Sequence, residues 1–290
     1  MRFHYLDVFT DRRYAGNPLA VFIDEGGLSD HEHQSIAREV GFSETTFIDP
    51  TPEAPGRYRV RIFSPDRELP FAGHPTLGSA DAIARFLVPG VDRLVLSLGV
   101  GPIPVVRESG KWFMDQNPPT FGPPVANRAR VASLLGLDDG DLDPALPVHT
   151  SSTGLPSLVI PLRHREALDR CRVDHRAYAE WLKEFGLANL APFCRGSVDQ
   201  SCTLSTRVFV DDTGFYEDPA TGSAAGNLTG YLVEHEVLGG TPFDVLLSQG
   251  DQMGRPSRLQ LQGRRDSGGI RIRVGGAAVP MCSGDWPLSP

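Results

Sequence analysis

The sequence predicts an α+β protein with two pseudo-symmetric halves, in each of which a curved β-sheet encloses one slim α-helix. Two short segments, one in each half of the chain, carry this prediction: Glu68-Leu-Pro-Phe-Ala-Gly-His-Pro-Thr-Leu-Gly-Ser-Ala80 and Glu217-Asp-Pro-Ala-Thr-Gly-Ser-Ala-Ala-Gly-Asn-Leu228. Each segment has an acidic residue, a proline and a Gly-His or Gly-Ser step, and then runs into small residues. A helix that starts in this way leaves backbone N–H groups free to bind an anion.

The two helices are predicted to be buried because almost no charge interrupts them. Over residues 75–87 the charged residues are Asp81 and Arg85, and over residues 223–233 there are none. A helix that is apolar or small on all sides is enclosed by other elements. Both runs are shorter than the roughly 18 apolar residues that a membrane span needs, so we expect two core helices.

The composition indicates a protein with many turns and short strands. The 290 residues include 31 glycines and 25 prolines, while 40% of the chain is hydrophobic, so the excess of turn residues predicts strands rather than disorder. The net charge of −8 argues against nucleic acid or an anionic membrane as a partner. An anionic substrate therefore needs strong local donors.

The cysteines and the start of the chain predict a cytoplasmic protein. Cys171, Cys194, Cys202 and Cys282 form no CxxC pattern, which favours reduced, buried thiols. The first residues are too short and too interrupted for a signal peptide, and they are predicted to form a strand.

The first half is predicted to contain seven strands and one outer helix besides the buried one. The outer helix has a capping box of Ser29 and Glu32, a body at His31–Val40 and a stop at Gly41. The strands are predicted at 2–9, 18–23, 43–49, 57–63, 93–98, 102–107 and 111–116. Four prolines in nine residues at 116–124 predict a linker between two domains, at 1–117 and 118–276, with 277–290 as a candidate to complete the first.

The second half repeats the order of strands, buried helix and strands. Two further helices are predicted at 127–136 and 174–186. Strands are predicted near 147–150, 156–162, 204–210, 243–248, 257–262 and 269–274, followed by an apolar stretch at 277–282.

Glu44 is the first candidate for chemistry, as a general base in an apolar setting. In the alternating segment Gly41-Phe-Ser-Glu-Thr-Thr-Phe-Ile48, Glu44 shares a strand face with Thr46 and Ile48. A carboxyl group among Phe42, Phe47 and Ile48 is partly desolvated, which favours proton transfer. The alternative is a solvated strand glutamate.

His74 is the second candidate, at the start of the first buried helix. Because Pro75 suits the first helical position, His74 is predicted as the N-cap. A histidine at a helix N-terminus is disfavoured as a cation, so His74 is expected to be neutral and able to donate or pass a proton. Gly73 and Thr76 of the same turn are candidate substrate-binding residues, while the alternative for His74 is a cap alone.

The second buried helix offers a matching set. Asp218 precedes a proline at a turn and is a candidate catalytic carboxylate. Ser223 does not lie in a Gly-x-Ser-x-Gly nucleophile elbow, so its hydroxyl and backbone N–H are predicted to bind an oxyanion. Gly222 and Ala224 are predicted to bind substrate through their backbone N–H groups.

Other chemistries are not indicated. The side chains of His31 and His33 are two residues apart on a helix and point in different directions, so no metal site is expected. No dinucleotide or Walker motif occurs, and we expect no cofactor.

The motifs together resemble the phenazine-biosynthesis PhzF-like family, relatives of diaminopimelate epimerase. The resemblance spans the chain in order, through Asp7-Val-Phe-Thr10, Gly16-Asn-Pro-Leu-Ala-Val21, Gly41-Phe-Ser-Glu-Thr45, Phe71-Ala-Gly-His-Pro-Thr76, Thr153-Gly-Leu-Pro156, Glu217-Asp-Pro-Ala-Thr-Gly-Ser-Ala224, Gln249-Gly250, Gly254-Arg-Pro-Ser257 and Val274-Gly-Gly276. It implies two domains, each a mixed sheet rolled around a central helix, with the site in the cleft between them.

The resemblance also implies a mechanism. The related epimerases use two opposed cysteines, whereas the corresponding helix starts here carry His74 and Ser223, so a two-thiol mechanism is excluded. The family's isomerase instead shuttles a proton on a glutamate that matches Glu44, with residues matching His74, Asp218 and Ser223 around the substrate.

These observations predict a cofactor-independent isomerase that moves a proton on a small anionic metabolite. The metabolite carries a carboxylate and is cyclic or substituted with hydroxyl or amino groups. The protein is expected to act as a homodimer, with no nucleic acid or membrane partner. Two alternatives stay open: an epimerase or racemase that inverts one stereocentre with two opposed proton carriers, and a non-catalytic metabolite-binding protein.

Overall fold

The structure is a computed structural model that describes residues 1–186, 189–212 and 215–288. The chain forms two compact units, one of Met1–Asp115 with Gly275–Pro290 and one of Gln116–Val274. Each unit has a mixed β-sheet and one buried central helix, so the predicted α+β class is confirmed. The assignment of 1–117 and 118–276 as separate domains stays a prediction.

The described residues contain nineteen strands and six α-helices. In chain order the strands are β1 (Arg2–Val8), β2 (Asn17–Ile23), β3 (Thr45–Ile48), β4 (Arg57–Phe63), β5 (Glu68–Leu69), β6 (Arg93–Leu98), β7 (Gly101–Glu108), β8 (Lys111–Gln116), β9 (Thr120–Phe121), β10 (His149–Ser152), β11 (Pro156–Pro161), β12 (Asn189–Arg195), β13 (Leu204–Thr206), β14 (Val208–Asp212), β15 (Phe215–Asp218), β16 (Phe243–Gln249), β17 (Ser257–Asp266), β18 (Gly269–Gly276) and β19 (Ala278–Asp285). The helices are α1 (Asp30–Val40), α2 (Gly73–Ala82), α3 (Arg128–Leu134), α4 (Arg165–Arg170), α5 (His175–Phe185) and α6 (Gly222–Glu234).

The first unit wraps a mixed sheet around α2. Strand β1 pairs antiparallel with both β2 and β19, β2 runs parallel to β3, and β4 pairs antiparallel with β3 and parallel with β6. All ten residues of α2 are buried. A Cβ at Gly78 would lie 2.4 Å from Leu19 Cδ2 and 2.8 Å from Val8 Cγ2. The small residues of α2 therefore let the strands approach the helix axis closely.

Helix α1 lies on the outer side of this sheet and begins and ends where the sequence predicted. The Ser29 hydroxyl accepts from the Glu32 N–H at 3.3 Å, and Glu32 Oε2 accepts from the Ser29 N–H at 2.7 Å. Gly41, with φ 69°, closes the helix by donating its N–H to the Ala37 carbonyl. Such a cap needs a left-handed residue, which glycine adopts without strain.

The second unit repeats this arrangement around α6. Strand β11 runs parallel to β12 and antiparallel to β10, while β16 runs parallel to β13 and antiparallel to β17. Within α6 every residue is buried except Ser223 and Glu234. A Cβ at Gly230 would lie 2.8 Å from Pro119 Cβ, so the second helix is narrow for the same steric reason as the first. No helix within the described residues is long and apolar enough to cross a membrane.

The elements differ from the predictions in three places. The segment 116–124, predicted as a linker, contains β9, which pairs antiparallel with β10. Strand β12 was not predicted. It contains Pro192, which has no N–H to donate, but the Pro192 carbonyl accepts the Arg207 N–H at 3.1 Å. His74 is not the N-cap, since α2 begins at Gly73 with Ala72 as the cap.

The position of Pro75 explains the earlier start of α2. The N–H groups of the first helical residues have no partner within the helix, so a proline in the third position removes no bond. The first backbone bond of α2 runs from the Thr76 N–H to the Ala72 carbonyl at 3.3 Å.

A histidine pair at the end of α6 predicts loss of stability in acid. His149 Nδ1 lies 3.0 Å from the Thr150 carbonyl and must donate to it, so His149 Nε2 accepts from His235 Nε2 at 2.7 Å. Burial, and then repulsion from His149, lower the pKa of His235 below its ordinary value of 6.5. The unfolded chain therefore binds more protons as the pH falls below about 6.5, and the free energy of unfolding decreases there.

We expect the His235→Phe variant to lose less stability than the native chain between about pH 7.5 and about pH 5.5. Phenylalanine keeps a ring beside Tyr231, whose ring centroid lies 4.5 Å from that of His235, but it cannot titrate. Urea unfolding at both pH values measures the difference. Equal losses in the two proteins would contradict this account of the pair.

Candidate active site

The first cluster of candidate residues lies in the first unit, where Glu44 and His74 meet. Glu44 immediately precedes β3 and His74 is the second residue of α2. Glu44 Oε2 lies 3.5 Å from His74 Nε2, and the two side chains are 19% and 4% exposed. A carboxylate and an imidazole at this separation can pass a proton to or from one bound molecule.

Strand β3, which begins directly after Glu44, is held against α2. The Ser79 hydroxyl of α2 donates to Thr46 Oγ1 at 3.1 Å, and both residues are fully buried. On the opposite side, Phe47 packs edge-on against His33 of α1 at 4.5 Å between ring centroids. Thr46 and Phe47 therefore point to opposite faces of β3, whereas the predicted place of Glu44 on the face of Thr46 stays a prediction.

The other candidates in the first unit, Gly73 and Thr76, lie in the first turn of α2. Gly73 is the first residue of α2 and is buried. Thr76 is fully buried, and its hydroxyl donates to the Ala72 carbonyl at 2.7 Å. This bond secures the first turn of α2 next to His74. Direct contact of Gly73 or Thr76 with substrate stays a prediction.

A tightly built loop joins β1 to β2 beside the start of β3. Buried Asp7 accepts the Tyr14 N–H at 2.9 Å, and a Cβ at Gly16 (φ 69°) would lie 2.3 Å from the Val8 carbonyl. Tyr14 itself has φ 65° and its side chain points outward, 74% exposed. The Asp7-Val-Phe-Thr and Gly-Asn-Pro motifs therefore build a fixed loop.

The second cluster, in the second unit, surrounds the start of α6. Asp218 is the last residue of β15, and Thr221 is the N-cap of α6. The Thr221 hydroxyl donates to Asp218 Oδ2 at 2.5 Å. The buried Gln249 side chain accepts the Thr221 N–H at 3.1 Å and donates to the Asp218 carbonyl at 2.7 Å. Asp218 is thus held by contacts on both sides of the turn.

The N-terminus of α6 has the donors that the sequence predicted. The first backbone bond of the helix runs from the Ala225 N–H to the Thr221 carbonyl at 2.9 Å. Helix geometry therefore leaves the N–H groups of Gly222, Ser223 and Ala224 without partners inside the helix. Gly222 and Ala224 are buried, whereas Ser223 is partly exposed. Binding of substrate by these three residues stays a prediction.

The acidic residue that precedes Asp218 has a structural role. Both carboxylate oxygens of Glu217 accept from Arg207, at 2.8 Å from Nε and 2.7 Å from Nη2. Arg207 also donates to the Leu168 and Cys171 carbonyls. The sequence did not single out Arg207, Thr221 or Gln249 as functional residues, although Thr221 and Gln249 lie in the family motifs.

The Thr153-Gly-Leu-Pro156 motif is anchored to α6. Asn227 Oδ1 accepts the Thr153 N–H at 2.8 Å, and Asn227 Nδ2 donates to the Leu155 carbonyl at 2.8 Å. Asn227 is fully buried. Its amide therefore fixes the loop after β10 against the side of the helix.

The cysteines take no part in either cluster. Burial raises the pKa of the Cys171 thiol to about 12 and that of Cys194 to about 11, so both stay protonated near neutral pH. Cys202 is also buried, and Cys282 is exposed on β19. A pair of reactive thiols, as in the related epimerases, is therefore absent from the two clusters.

No group of three potential metal ligands occurs among the described residues. His33, one of the two histidines considered from the sequence, has a structural partner instead. Its Nε2 lies 2.8 Å from Asp24 Oδ2 and its Nδ1 lies 3.0 Å from the Ser29 carbonyl. This histidine ties α1 to the end of β2.

Comparison with known proteins assigns the family. Residues 6–284 match the PhzC-PhzF family, described as phenazine biosynthesis-like protein, and the chain belongs to this family. It is 37% identical over 289 residues to an uncharacterized isomerase of Mesorhizobium japonicum, covering 96% of each chain. It is 34% identical over 277 residues to trans-2,3-dihydro-3-hydroxyanthranilate isomerase of Pseudomonas aeruginosa, covering 93% of this chain and 92% of that one.

A solved structure agrees with this assignment. The PhzF-family protein of Bacillus anthracis superposes with a TM-score of 0.91 at 27% identity, covering 99% of both chains. The resemblance stated from the motifs is therefore confirmed. The protein is an isomerase of this family, as the names of its relatives indicate.

Proposed function

We propose that this protein catalyses a cofactor-independent isomerisation that moves a proton between two positions of a small carboxylate-bearing metabolite. The observation that carries the proposal is the close approach of Glu44 and His74, 3.5 Å apart and largely buried at the start of α2. Such a pair combines a base with a group that can donate or pass a proton in a partly desolvated setting.

Each residue has a defined step in this proposal. Glu44 removes a proton from a substrate carbon, and the bonding electron pair moves into the conjugated system of the substrate. After exchange with solvent, Glu44 delivers a proton to a different carbon, so the composition and oxidation state of the metabolite do not change. His74 donates a hydrogen bond to the developing negative charge or relays the proton. Asp218 orients a polar group of the substrate from the second unit.

The start of α6 is proposed to hold the carboxylate. The protein has a net charge of −8, so a carboxylate needs local donors to overcome long-range repulsion. The backbone N–H groups of Gly222, Ser223 and Ala224, together with the Ser223 hydroxyl, provide them. The proposal therefore requires groups from both units to act on one substrate molecule.

The substrate class follows from the chemistry of the site and from one relative. The Pseudomonas aeruginosa relative is named for trans-2,3-dihydro-3-hydroxyanthranilate, a cyclic carboxylate with amino and hydroxyl substituents. We propose a substrate of this kind, recognised by its carboxylate at α6 and by its reacting C–H group at Glu44. A cytoplasmic homodimer is part of the proposal, and light scattering of the purified protein tests the assembly.

An epimerase or racemase is the second candidate. Inversion of one stereocentre needs proton carriers on opposite faces of a carbon, for example Glu44 opposed by Asp218. Glu44 and His74 instead lie side by side within one unit. Their adjacency favours removal and return of the proton on one face of the substrate, which is the requirement of an isomerase.

Incubation of the purified protein with trans-2,3-dihydro-3-hydroxyanthranilate, followed by NMR and chiral chromatography, tests the proposal. We expect a product of unchanged mass in which a double bond has moved. A product that differs in one stereocentre alone would support the epimerase. If this compound is inert, the same assay on a metabolite extract, read by mass spectrometry, is the next test. Binding without any mass-neutral conversion would refute the proposed isomerisation.

Ser223→Ala tests the anion site at α6. We expect substrate binding to weaken by about 1 kcal/mol for one neutral hydrogen bond, and by up to roughly 3 kcal/mol if the Ser223 hydroxyl contacts a charged carboxylate. Isothermal titration calorimetry with substrate or inhibitor measures the change. Ser201→Ala is a control, because the Ser201 hydroxyl bonds Asp199 on the surface at 2.7 Å. Equal affinity in the Ser223→Ala and Ser201→Ala proteins would contradict the assignment.

A further inference from the structure

Two residues outside the predicted site, Thr221 and Gln249, form a hydrogen-bond chain that ends on Asp218. We propose that Thr221 and Gln249 are positioning residues, which fix Asp218 Oδ2 as a hydrogen-bond acceptor and keep the first turn of α6 uncapped. The catalytic meaning of this inference rests on the proposed function. The hydrogen-bond geometry from which we infer the positioning role does not depend on that function.

The direction of the hydrogen bonds in this chain is fixed by the Gln249 amide. The Thr221 N–H group can only donate, and it lies 3.1 Å from Gln249 Oε1, which accepts. The amide nitrogen Nε2 therefore faces the Asp218 carbonyl at 2.7 Å and Thr221 Oγ1 at 3.0 Å. An amide nitrogen donates and does not accept. The Thr221 hydroxyl receives this bond, so its own proton is directed elsewhere.

The remaining partner of that proton is Asp218 Oδ2, 2.5 Å from Thr221 Oγ1. A separation this short is typical of a hydroxyl that donates to an ionised carboxylate. As long as this bond persists, Oδ2 acts as an acceptor and does not carry a proton. The hydrogen-bond chain thereby keeps Oδ2 in the role of an acceptor.

The same hydrogen-bond chain explains why the side chain of Thr221, the N-cap residue of α6, accepts no N–H group of the helix. Threonine at an N-cap normally accepts from an N–H group of the first turn, but the Thr221 side chain makes no such bond. Its hydroxyl is occupied by Gln249 and Asp218 instead. The N–H groups of Gly222, Ser223 and Ala224 are consequently left for a ligand rather than for the protein's own side chain.

The residues packed around Thr221 and Gln249 leave their hydrogen-bond chain little freedom to rearrange. Gln249 is buried, and a Cβ at the following Gly250 would lie 2.6 Å from the Pro219 carbonyl. The strand end and the turn are therefore in direct contact. The charged groups on the elements packed here include Glu217, which is bonded to Arg207, and Arg255 in the turn after Gly250. They also include Asp251, which accepts from Ser248 and lies 3.5 Å from Arg165 Nη2 and 3.7 Å from Arg258 Nη1.

Three variants of the full chain separate positioning from general structural support. Thr221→Val keeps the shape and removes the hydroxyl, whereas Thr221→Ser restores it. Thr229→Val is the matched control, because Thr229 is a buried threonine of the same helix whose hydroxyl donates to the Ala225 carbonyl at 2.7 Å. The readout is the carboxyl carbon-13 signal of Asp218 during a pH titration, assigned by its loss in Asp218→Asn.

We expect Thr221→Val to raise the pKa of Asp218 by about one to two pH units, because a carboxylate that loses a donor is less favoured in its charged form. Thr221→Ser is expected to titrate like the native protein, and Thr229→Val is expected to leave the Asp218 signal unchanged. An unshifted Asp218 titration in Thr221→Val, or an equal shift in Thr229→Val, would overturn the inference.

A further variant tests the other end of the hydrogen-bond chain. Gln249→Met keeps a side chain of similar length but cannot donate to Thr221 Oγ1, and it adds no charge beside Asp218. The Asp218 titration is expected to shift upward here too, and an unshifted midpoint would overturn the role given to Gln249. These titrations use no substrate. A shifted Asp218 with no turnover would refute the proposed function alone, whereas turnover with unshifted titrations would refute the positioning role alone.

Discussion

Replacing Glu44 by glutamine is expected to lower kcat by about 10²- to 10⁴-fold, the usual contribution of a positioned general base. The substitution keeps the size of the side chain and its place beside His74, but it removes the group that accepts the proton. KM is expected to change little, because Glu44 acts on the C–H bond rather than on the substrate carboxylate. Steady-state kinetics with a turned-over substrate measures both values.

Glu39→Gln is the matched control for this experiment. Glu39 lies on the exposed face of α1, so the same chemical change there is expected to leave both kinetic constants unaltered. Undiminished turnover in Glu44→Gln would remove Glu44 from the proton-transfer role, whatever the effect of Glu39→Gln.

The second large effect is expected on stability, from Arg207→Leu. The Arg207 side chain is 6% exposed and pairs with Glu217, which is 17% exposed. Removal of one partner from a buried ion pair leaves the other charge uncompensated, which typically costs about 3–5 kcal/mol. The two carbonyls that Arg207 Nη1 serves, of Leu168 and Cys171, also lose their donor. Urea unfolding of the full chain measures the loss of unfolding free energy.

Two further variants make this prediction specific. Arg176→Leu, on the surface of α5, removes an exposed contact to Glu180 of 3.6 Å and is expected to change stability little. Arg207→Leu combined with Glu217→Leu is expected to recover part of the loss, because no buried charge then remains. A native-like midpoint for Arg207→Leu alone would contradict the structural role given to this pair.

Much of the architecture could be predicted from local sequence. The capping box of Ser29 and Glu32 and the stop at Gly41 lie within one helix, so their signals need no knowledge of the fold. The burial of α2 and α6 was predicted from the near absence of charge. All seven strands predicted in the first half are present, with limits that differ by a residue or two.

Apart from the N-cap of α2, the features that were not predicted depend on contacts between distant residues. Strand β9 lies within a proline-rich segment and forms through its pairing with β10. Strand β12 tolerates Pro192 because the neighbouring strands supply other bonds. The role of Gln249 depends on a contact with Thr221, 28 residues away in the chain, and no local pattern predicts such a contact.

Part of the candidate site could be predicted because its residues lie in short sequence motifs. Glu44 and His74 come from different motifs, and the structure brings their side chains to 3.5 Å within one unit. Asp218 and Ser223 lie in one continuous segment, so their proximity required no long-range information. What the sequence did not predict is how Asp218 is held, since the side chains that hold it belong to a turn and a strand end that meet after folding.

Deuterium labelling tests the central claim, proton transfer to carbon by Glu44, most directly. The reaction of trans-2,3-dihydro-3-hydroxyanthranilate, or of another converted metabolite, is run in D₂O, and the product is examined by NMR. The account predicts that deuterium enters the product at a carbon other than the one deprotonated, and that labelling stops in Glu44→Gln. Conversion without deuterium at any carbon, or equal labelling in Glu44→Gln and Glu39→Gln, would contradict it.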